Sequence, residues 1–279
     1  MIPNLQSQRS DAARKTSSVP IIAAETCAGV ADAAMRRMGF QMWLKRFVRW
    51  GLSRNNESLW LAMKNIREEL RIHRQSRKSE KRLRQLRAHG GMKVHLGCGT
   101  DVRRGWVNID VDVNRPSKSD SEFDDKTLIF NYDLRRGLPL ADGSCDYIYS
   151  SHFFEHLEAR HALDLVRDCH RALRPGGVFR MALPRQRETF AAYLQGDIEY
   201  FGPVDEYLPT RPGLPRMCDF INYHCYQNGE HRFIIDEETA LSMLNWAGYR
   251  LASVSEYKPN VDPSTELRRA GSFYVEATK

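Results

Sequence analysis

The chain has 279 residues and a net charge of +7, from 42 Lys/Arg against 35 Asp/Glu. The charge is uneven: residues 1–91 hold 19 Lys/Arg and 7 Asp/Glu, net +12, whereas residues 92–279 hold 23 and 28, net −5. A basic extension therefore precedes a mildly acidic domain, so the overall excess of base does not make the globular part a nucleic-acid binder.

No apolar run approaches the ~18 residues of a membrane span. Cys27, Cys98, Cys145, Cys169, Cys218 and Cys225 show no Cys-x-x-Cys spacing. In a chain of this length that pattern reads as reduced thiols and a cytoplasmic location.

Residues 1–35 are rich in Ser, Ala and Gln with little periodicity, and disorder is expected there. Residues 9–32 loosely imitate a signal peptide, but Glu25 interrupts a short apolar core, which argues against secretion. From 36 to 52, Phe40, Trp43, Phe47 and Trp50 recur at helical spacing among Arg36, Arg37, Lys45, Arg46 and Arg49. A basic, aromatic amphipathic helix of this kind lies in a membrane interface, or docks its aromatic face on the domain or a second subunit. Asn56 is placed to cap a second helix with the stripe Leu59, Met63, Ile66 and Leu70, and Gly90-Gly91 stops it. Residues 1–55 thus read as a disordered-to-amphipathic extension, 56–91 as a basic helix and linker, and 92–279 as the domain.

The domain opens on Lys-Val-His-Leu-Gly-Cys-Gly-Thr-Asp-Val-Arg-Arg-Gly-Trp-Val-Asn-Ile-Asp-Val-Asp, residues 93–112. Val94 and Leu96 mark a short strand that ends in Gly97-Cys98-Gly99-Thr100. Trp106, Val107 and Ile109 mark a second strand that delivers Asp110. A glycine turn lets backbone approach a ligand, and an acid at the tip of the neighbouring strand suits a ribose diol. Residues 115–125 read as a polar loop, 127–132 as a strand leading to Asp133-Leu134, and 146–150 as the next strand, before His152-Phe153-Phe154-Glu155-His156. Residues 157–174 predict a helix with Ala162, Val166, Cys169 and Leu173 on one face, ended by Pro175-Gly176-Gly177. Strands over 178–183, 251–257 and 273–277 and a helix over 237–246 complete the pattern. Residues 188–235 read as an irregular insertion, of a length that in a compact domain is usually functional. Alternating elements predict an α/β, Rossmann-like, mostly parallel sheet with helices on both faces. Ligands in such sheets bind beyond the carboxyl ends of the strands, where Gly97–Thr100, Asp110, Asp133 and Ser150 all fall.

Three ligands compete for the glycine turn. Val102 stands where a dinucleotide fingerprint needs its third glycine, and no Gly-Lys-Ser/Thr phosphate loop follows. The third reading rests on an ordered series: Leu96-Gly97-Cys98-Gly99-Thr100, Asn108-Ile109-Asp110, Asp133-Leu134 with Leu138-Pro139, Asp146-Tyr147-Ile148, Glu155-His156, and Leu173-Arg174-Pro175-Gly176-Gly177. In this series residues 92–279 resemble the class I S-adenosylmethionine-dependent methyltransferases, closest to the branch with ubiquinone-pathway and other small-molecule enzymes. The resemblance implies S-adenosylmethionine as cofactor and an antiparallel last strand, met by Phe273–Ala277. It implies that Leu96, Gly97, Cys98, Gly99 and Thr100 form the cofactor turn, with Gly97 and Gly99 facing the methionine part. Asp110 would hold the ribose hydroxyls, with Asp112 as the fallback. Asp133 would take the adenine amino group beside the Leu134 backbone, and Ser150 and His152 would line the pocket near the methyl group. One departure stands out: only ten residues separate Gly99 from Asp110, fewer than the family's first helix usually occupies.

The run 152–156 also fits His-x-x-Glu-His, an inverted zinc-peptidase signature, and it resembles the Glu-x-x-Glu-His metal run of some O-methyltransferases with His152 in the first place. A helix-capping role for Glu155 and His156 is the plainer alternative, and no metal ligand is assigned from sequence. His152, His156 and His231 are the candidate bases for a hydroxyl acceptor. The expectation is methyl transfer, at oxygen, to a small-molecule, lipid-linked or saccharide acceptor, with peripheral membrane contact through residues 36–52. The rivals are a nucleic-acid methyltransferase and a membrane-associated, non-catalytic scaffold. Nucleic acid is not the expected partner, because no Asn-Pro-Pro-Tyr-like motif follows the fourth strand.

Overall fold

A computed structural model describes residues 57–86, 91–111, 126–201, 216–263 and 265–279. The readings made for residues 1–55, for the cap Asn56, for the fallback acid Asp112, for the polar loop 115–125 and for part of the insertion lie outside these residues. The chain divides into two compact units, residues 1–67 and 68–279. Of the first, the described residues 57–67 are helical.

Among its described residues, the second unit is built on seven strands. They are β1 (Lys93–Leu96), β2 (Val107–Asp110), β3 (Leu128–Asn131), β4 (Cys145–Ser151), β5 (Leu173–Pro184), β6 (Arg250–Ser255) and β7 (Ser272–Thr278). Their order in the sheet is β3-β2-β1-β4-β5-β7-β6. β1 to β5 pair in parallel and β7 runs antiparallel to both neighbours, as expected of the last strand. The helices are α1 (Glu57–Gln85), α2 (Ala159–Ala172), α3 (Gln186–Gln195), α4 (Met217–Tyr226), α5 (Glu237–Trp246) and α6 (Glu266–Ala270). Among the described residues, no helix is long and apolar enough to cross a membrane.

Strand periodicity sends alternate residues to opposite faces, and the two faces differ in chemistry. Val94, Leu96, Ile148, Phe179 and Ala277 are fully or almost fully buried on one. Phe179 stacks on Tyr249, whose hydroxyl donates to the Val166 carbonyl of α2 at 3.4 Å, so α2 and the turn after α5 cover this face. The other face carries a register-matched row, Asn108, His95, Tyr149, Arg180 and Glu276. Arg180 is buried there and forks onto Asp262, with Nε–Oδ1 at 2.8 Å, and donates to Ser255 Oγ and the Glu256 carbonyl.

Parallel neighbours ordinarily need a crossover of about a dozen residues or more, yet β1 passes to β2 with no helix between them. Asn108 makes this possible. Its Nδ2 donates to the carbonyls of Arg103, Trp106 and Leu128 at 3.0, 3.1 and 3.3 Å, and its Oδ1 accepts from the Arg103 N–H at 2.8 Å. One buried amide thus satisfies backbone groups that a helix would have satisfied internally.

Three expectations need correction. The helix expected over 157–174 ends at Ala172, and Leu173 opens β5, whose register against β4 shifts across Pro175-Gly176-Gly177 before pairing resumes at Val178. Leu173 is fully buried as the first residue of this strand, so the apolar position read as part of the helical stripe belongs to the sheet instead. The insertion expected to be irregular contains α3 and α4. In α1 the stripe Leu59, Ile66 and Leu70 is exposed, and the buried positions are Ser76 and Leu83.

Candidate active site

The glycine turn is held shut on β2. The N–H groups of Gly97 and Cys98 donate to the Ile109 carbonyl at 2.9 and 3.3 Å. The Gly99 N–H donates to Asp110 Oδ2 at 2.9 Å, and Asp110 Oδ1 accepts from the Val111 N–H at 2.6 Å. Both glycines have left-handed backbone, φ +62° and +49°, but they face different surroundings. A Cβ at Gly97 would fall 2.2 Å from the Phe153 ring, whereas at Gly99 it would meet nothing within 4 Å. The resemblance has both glycines facing the cofactor, but here the space beside Gly97 is filled by Phe153.

The remaining turn residues contribute backbone more than side chain. Leu96 lies wholly in the core and Thr100 is exposed. Cys98 is buried, which pushes its thiol up to about 12 and leaves it inert as a nucleophile. Ser150 is register-paired with Leu96, and its buried hydroxyl has no hydrogen-bond partner.

Asp133 and Leu134 sit elsewhere in character. The Asp133 N–H donates to Ser76 Oγ of α1 at 2.9 Å, and its carboxylate accepts from Arg135 N, Nε and a terminal nitrogen at 2.9–3.0 Å. Arg135 is held in turn by Glu69. The carboxylate assigned to an adenine amino group is thus engaged by an arginine fork, and Leu134 is part of the core.

Beyond β4 the chain makes a tight turn and a short 3₁₀ segment, Phe154–His156. His152 sits in the turn, ahead of that segment, at φ +48°. Its Nε2 lies 2.6 Å from Ser272 Oγ, and that hydroxyl itself donates to the Arg268 carbonyl, so His152 is the donor and its Nδ1 is bare. That nitrogen faces Glu155 Oε1 at 3.5 Å. Burial, followed by the charge of Arg268, lowers His152 to about 3, and burial raises the Glu155 carboxyl to about 8. Both groups are therefore neutral near pH 7. Glu155 does not cap α2. Its side chain is buried with no hydrogen-bond partner on either oxygen, while the N-cap residue is Glu158.

His156 and His231 meet edge to face, with ring centroids 4.9 Å apart. His156 Nδ1 lies 3.2 Å from the Glu230 carbonyl and His231 Nδ1 lies 3.0 Å from the His224 carbonyl. A carbonyl only accepts, so each Nδ1 carries the proton and each Nε2 is bare. Burial lowers the pKa of both rings, keeping them neutral. The two loops are zipped by the Glu155 carbonyl, which accepts from the N–H groups of Arg232 and Phe233 at 2.8 and 3.1 Å. Of the three histidines named from sequence, His156 and His231 are brought together and His152 is tied to Ser272. Sequence reading missed Ser272, Phe153 and the carbonyls of His224 and Glu230, none of which leaves a local pattern.

Residues 94–181 match a family model described as a methyltransferase domain. Among solved structures, an S-adenosylmethionine-dependent methyltransferase of Archaeoglobus fulgidus is similar at 15% identity and a TM-score of 0.42, covering 79% of this chain and 99% of that one. One from Mesorhizobium loti is similar at 19% identity and a TM-score of 0.42, covering 71% and 96%. The phosphoethanolamine N-methyltransferase 2 of Haemonchus contortus, in complex with S-adenosyl-L-methionine, is similar at 12% identity and a TM-score of 0.43, covering 74% and 52%. No curated protein shows a significant match.

Proposed function

We propose that residues 94–181, which match a family model described as a methyltransferase domain, form a class I, S-adenosylmethionine-dependent methyltransferase domain, and that the chain methylates a hydroxyl of a small-molecule, lipid-linked or saccharide acceptor. The cofactor supplies a sulfonium methyl group, which leaves in an in-line displacement. The chain's own task is then to hold the cofactor, align the acceptor and deal with its proton.

The open side of Gly99 and the carboxylate of Asp110 fit the ribose end of the cofactor. Each Asp110 oxygen already accepts one backbone N–H and retains lone pairs for a diol. Ser150, buried with an unused hydroxyl, supplies a further polar contact. On the acceptor side stand Glu155, His156 and His231.

The observation that carries the reading is the closeness of these two groups. Asp110 closes β2 and the 152–156 turn follows the end of β4, and β1 lies between these two strands, parallel to both. A carboxylate suited to ribose and two imidazoles with bare nitrogens therefore share one end of the sheet. Neutral imidazole nitrogens suit an acceptor that must lose a proton, which favours oxygen over an amine that is already nucleophilic. The domain's net charge of −5 argues against nucleic acid as the acceptor. The test is to incubate the purified chain with S-adenosylmethionine labelled in the methyl group and panels of hydroxylated and aminated metabolites. Label in alkali-stable ethers supports the reading. Label confined to amines contradicts it.

A further inference from the structure

The same end of the sheet holds more than a pair of bases. One donor atom from each of Glu155, His156 and His231 lies within 4.8 Å of the other two. We propose that these three residues bind one divalent transition-metal ion of the zinc type.

Three independent features point to a ligand at this spot. Each imidazole spends its Nδ1 proton on a backbone carbonyl, Glu230 for His156 and His224 for His231. Metal-ligating histidines are oriented in this way, with the second ring nitrogen tied to an outer partner and the first aimed at the ion. The Glu155 side chain is 2% exposed, and neither carboxyl oxygen has a hydrogen-bond partner. A buried, unpartnered carboxyl costs free energy, and a cation beside it removes that cost. Finally, the backbone clamps the ligands, since Arg232 and Phe233, next to His231, donate to the carbonyl of Glu155 itself.

The donor set selects the ion. Two imidazoles and one carboxylate suit zinc and its first-row neighbours, whereas calcium and magnesium take oxygen ligands. Ligand bonds of about 2.0–2.2 Å require the donors to draw in from their present spacing to about 3.4 Å for a tetrahedral ion. Three protein ligands leave a position open. The site replaces His152 of the sequence run by His231, because His152 is bound to Ser272 instead.

The consequence for catalysis rests on the methyl-transfer reading, but the binding of the ion does not. With the ion bound, His156 and His231 would hold the metal instead of taking a proton, and an acceptor hydroxyl in the open position would lose its proton to solvent at neutral pH. The resulting oxygen would form the O–C bond as the C–S bond of the sulfonium breaks, releasing S-adenosylhomocysteine and the methyl ether.

The experiment uses the full chain, stripped with a chelator and re-equilibrated with Zn²⁺ or Co²⁺. Metal content is read by elemental analysis, coordination by Co²⁺ visible absorption, and S-adenosylhomocysteine affinity by calorimetry on the same samples. The expected result is one ion per chain, a Co²⁺ spectrum without a thiolate charge-transfer band, and loss of the ion in His231→Ala and Glu155→Gln with unchanged cofactor affinity. Substoichiometric metal in the parent chain overturns the proposal, as does a thiolate band or full metal content in both variants. If a variant fails to fold, the parent chain's stoichiometry and spectrum still decide. Metal binding without cofactor binding would sink the methyl-transfer reading and leave this one standing.

Discussion

Gly99 and Asp110 are joined directly, backbone N–H to carboxylate oxygen at 2.9 Å, although eleven positions apart in the chain. The shortness of the β1–β2 connection is what brings them together, and Asn108 is what keeps that connection short. The residue suited to hold a ribose is therefore also the residue that sets the shape of the glycine turn.

The two glycines of the turn should respond differently to a methyl group. Gly97→Ala forces a Cβ into Phe153 and adds left-handed strain, together about 2–5 kcal/mol of lost stability. Gly99→Ala meets open space and carries only the strain, about 1–2 kcal/mol, but narrows the cofactor side. Urea denaturation should rank them in that order, and Phe153→Ala should recover part of the Gly97→Ala loss. Equal losses would mean that Phe153 moves freely aside.

What was legible in sequence was local. Leu96 to Thr100 and Asp110 could be placed because a strand, a glycine turn and a following acid lie within twenty residues. The antiparallel last strand was implied by the resemblance to class I methyltransferases, and Phe273–Ala277 forms it. The contacts of the three histidines were not legible. Nothing near His152 announces Ser272, which is 120 positions away, and nothing near His156 announces the turn that delivers His231. Leu173 misled because a buried leucine extends a helical stripe as well as it starts a buried strand. For Asp133 the sequence showed the acid but not its setting, since only the Glu69 contact from α1 shows that the Arg135 fork is fixed.

The polar face of the sheet makes its own prediction. Arg180 and Asp262 both have fully buried side chains, and the pair ties β5 to the loop after β6. Asp262→Ala leaves a buried guanidinium short of its main counter-charge and should cost about 3–5 kcal/mol in chemical denaturation. A loss below 1 kcal/mol would show that Glu276 and Ser255 suffice.

Asp236 caps α5, accepting from the Thr239 N–H at 2.8 Å. That bond holds its carboxyl below the usual range. Its folded pKa is therefore lower than its unfolded one, so it stabilises above about pH 4. That contribution is lost as the pH falls through the folded pKa. Asp236→Ala should cost about 1 kcal/mol at pH 7 and much less at pH 2–3. A deficit that is constant with pH would assign the effect to packing instead.

The central claim is that Gly99 and Asp110 form the seat of S-adenosylmethionine. Calorimetric titration of the chain and of Asp110→Ala with S-adenosylhomocysteine tests it most directly. One site is expected in the parent chain. The alanine variant should lose the ribose contacts, about 1.5–3 kcal/mol for each charge-assisted bond, and bind at least tenfold more weakly. At a hundred times the dissociation constant, the ligand should also stabilise the parent fold by about 2.7 kcal/mol. No heat of binding in the parent chain, or equal affinity in the variant, would contradict the account.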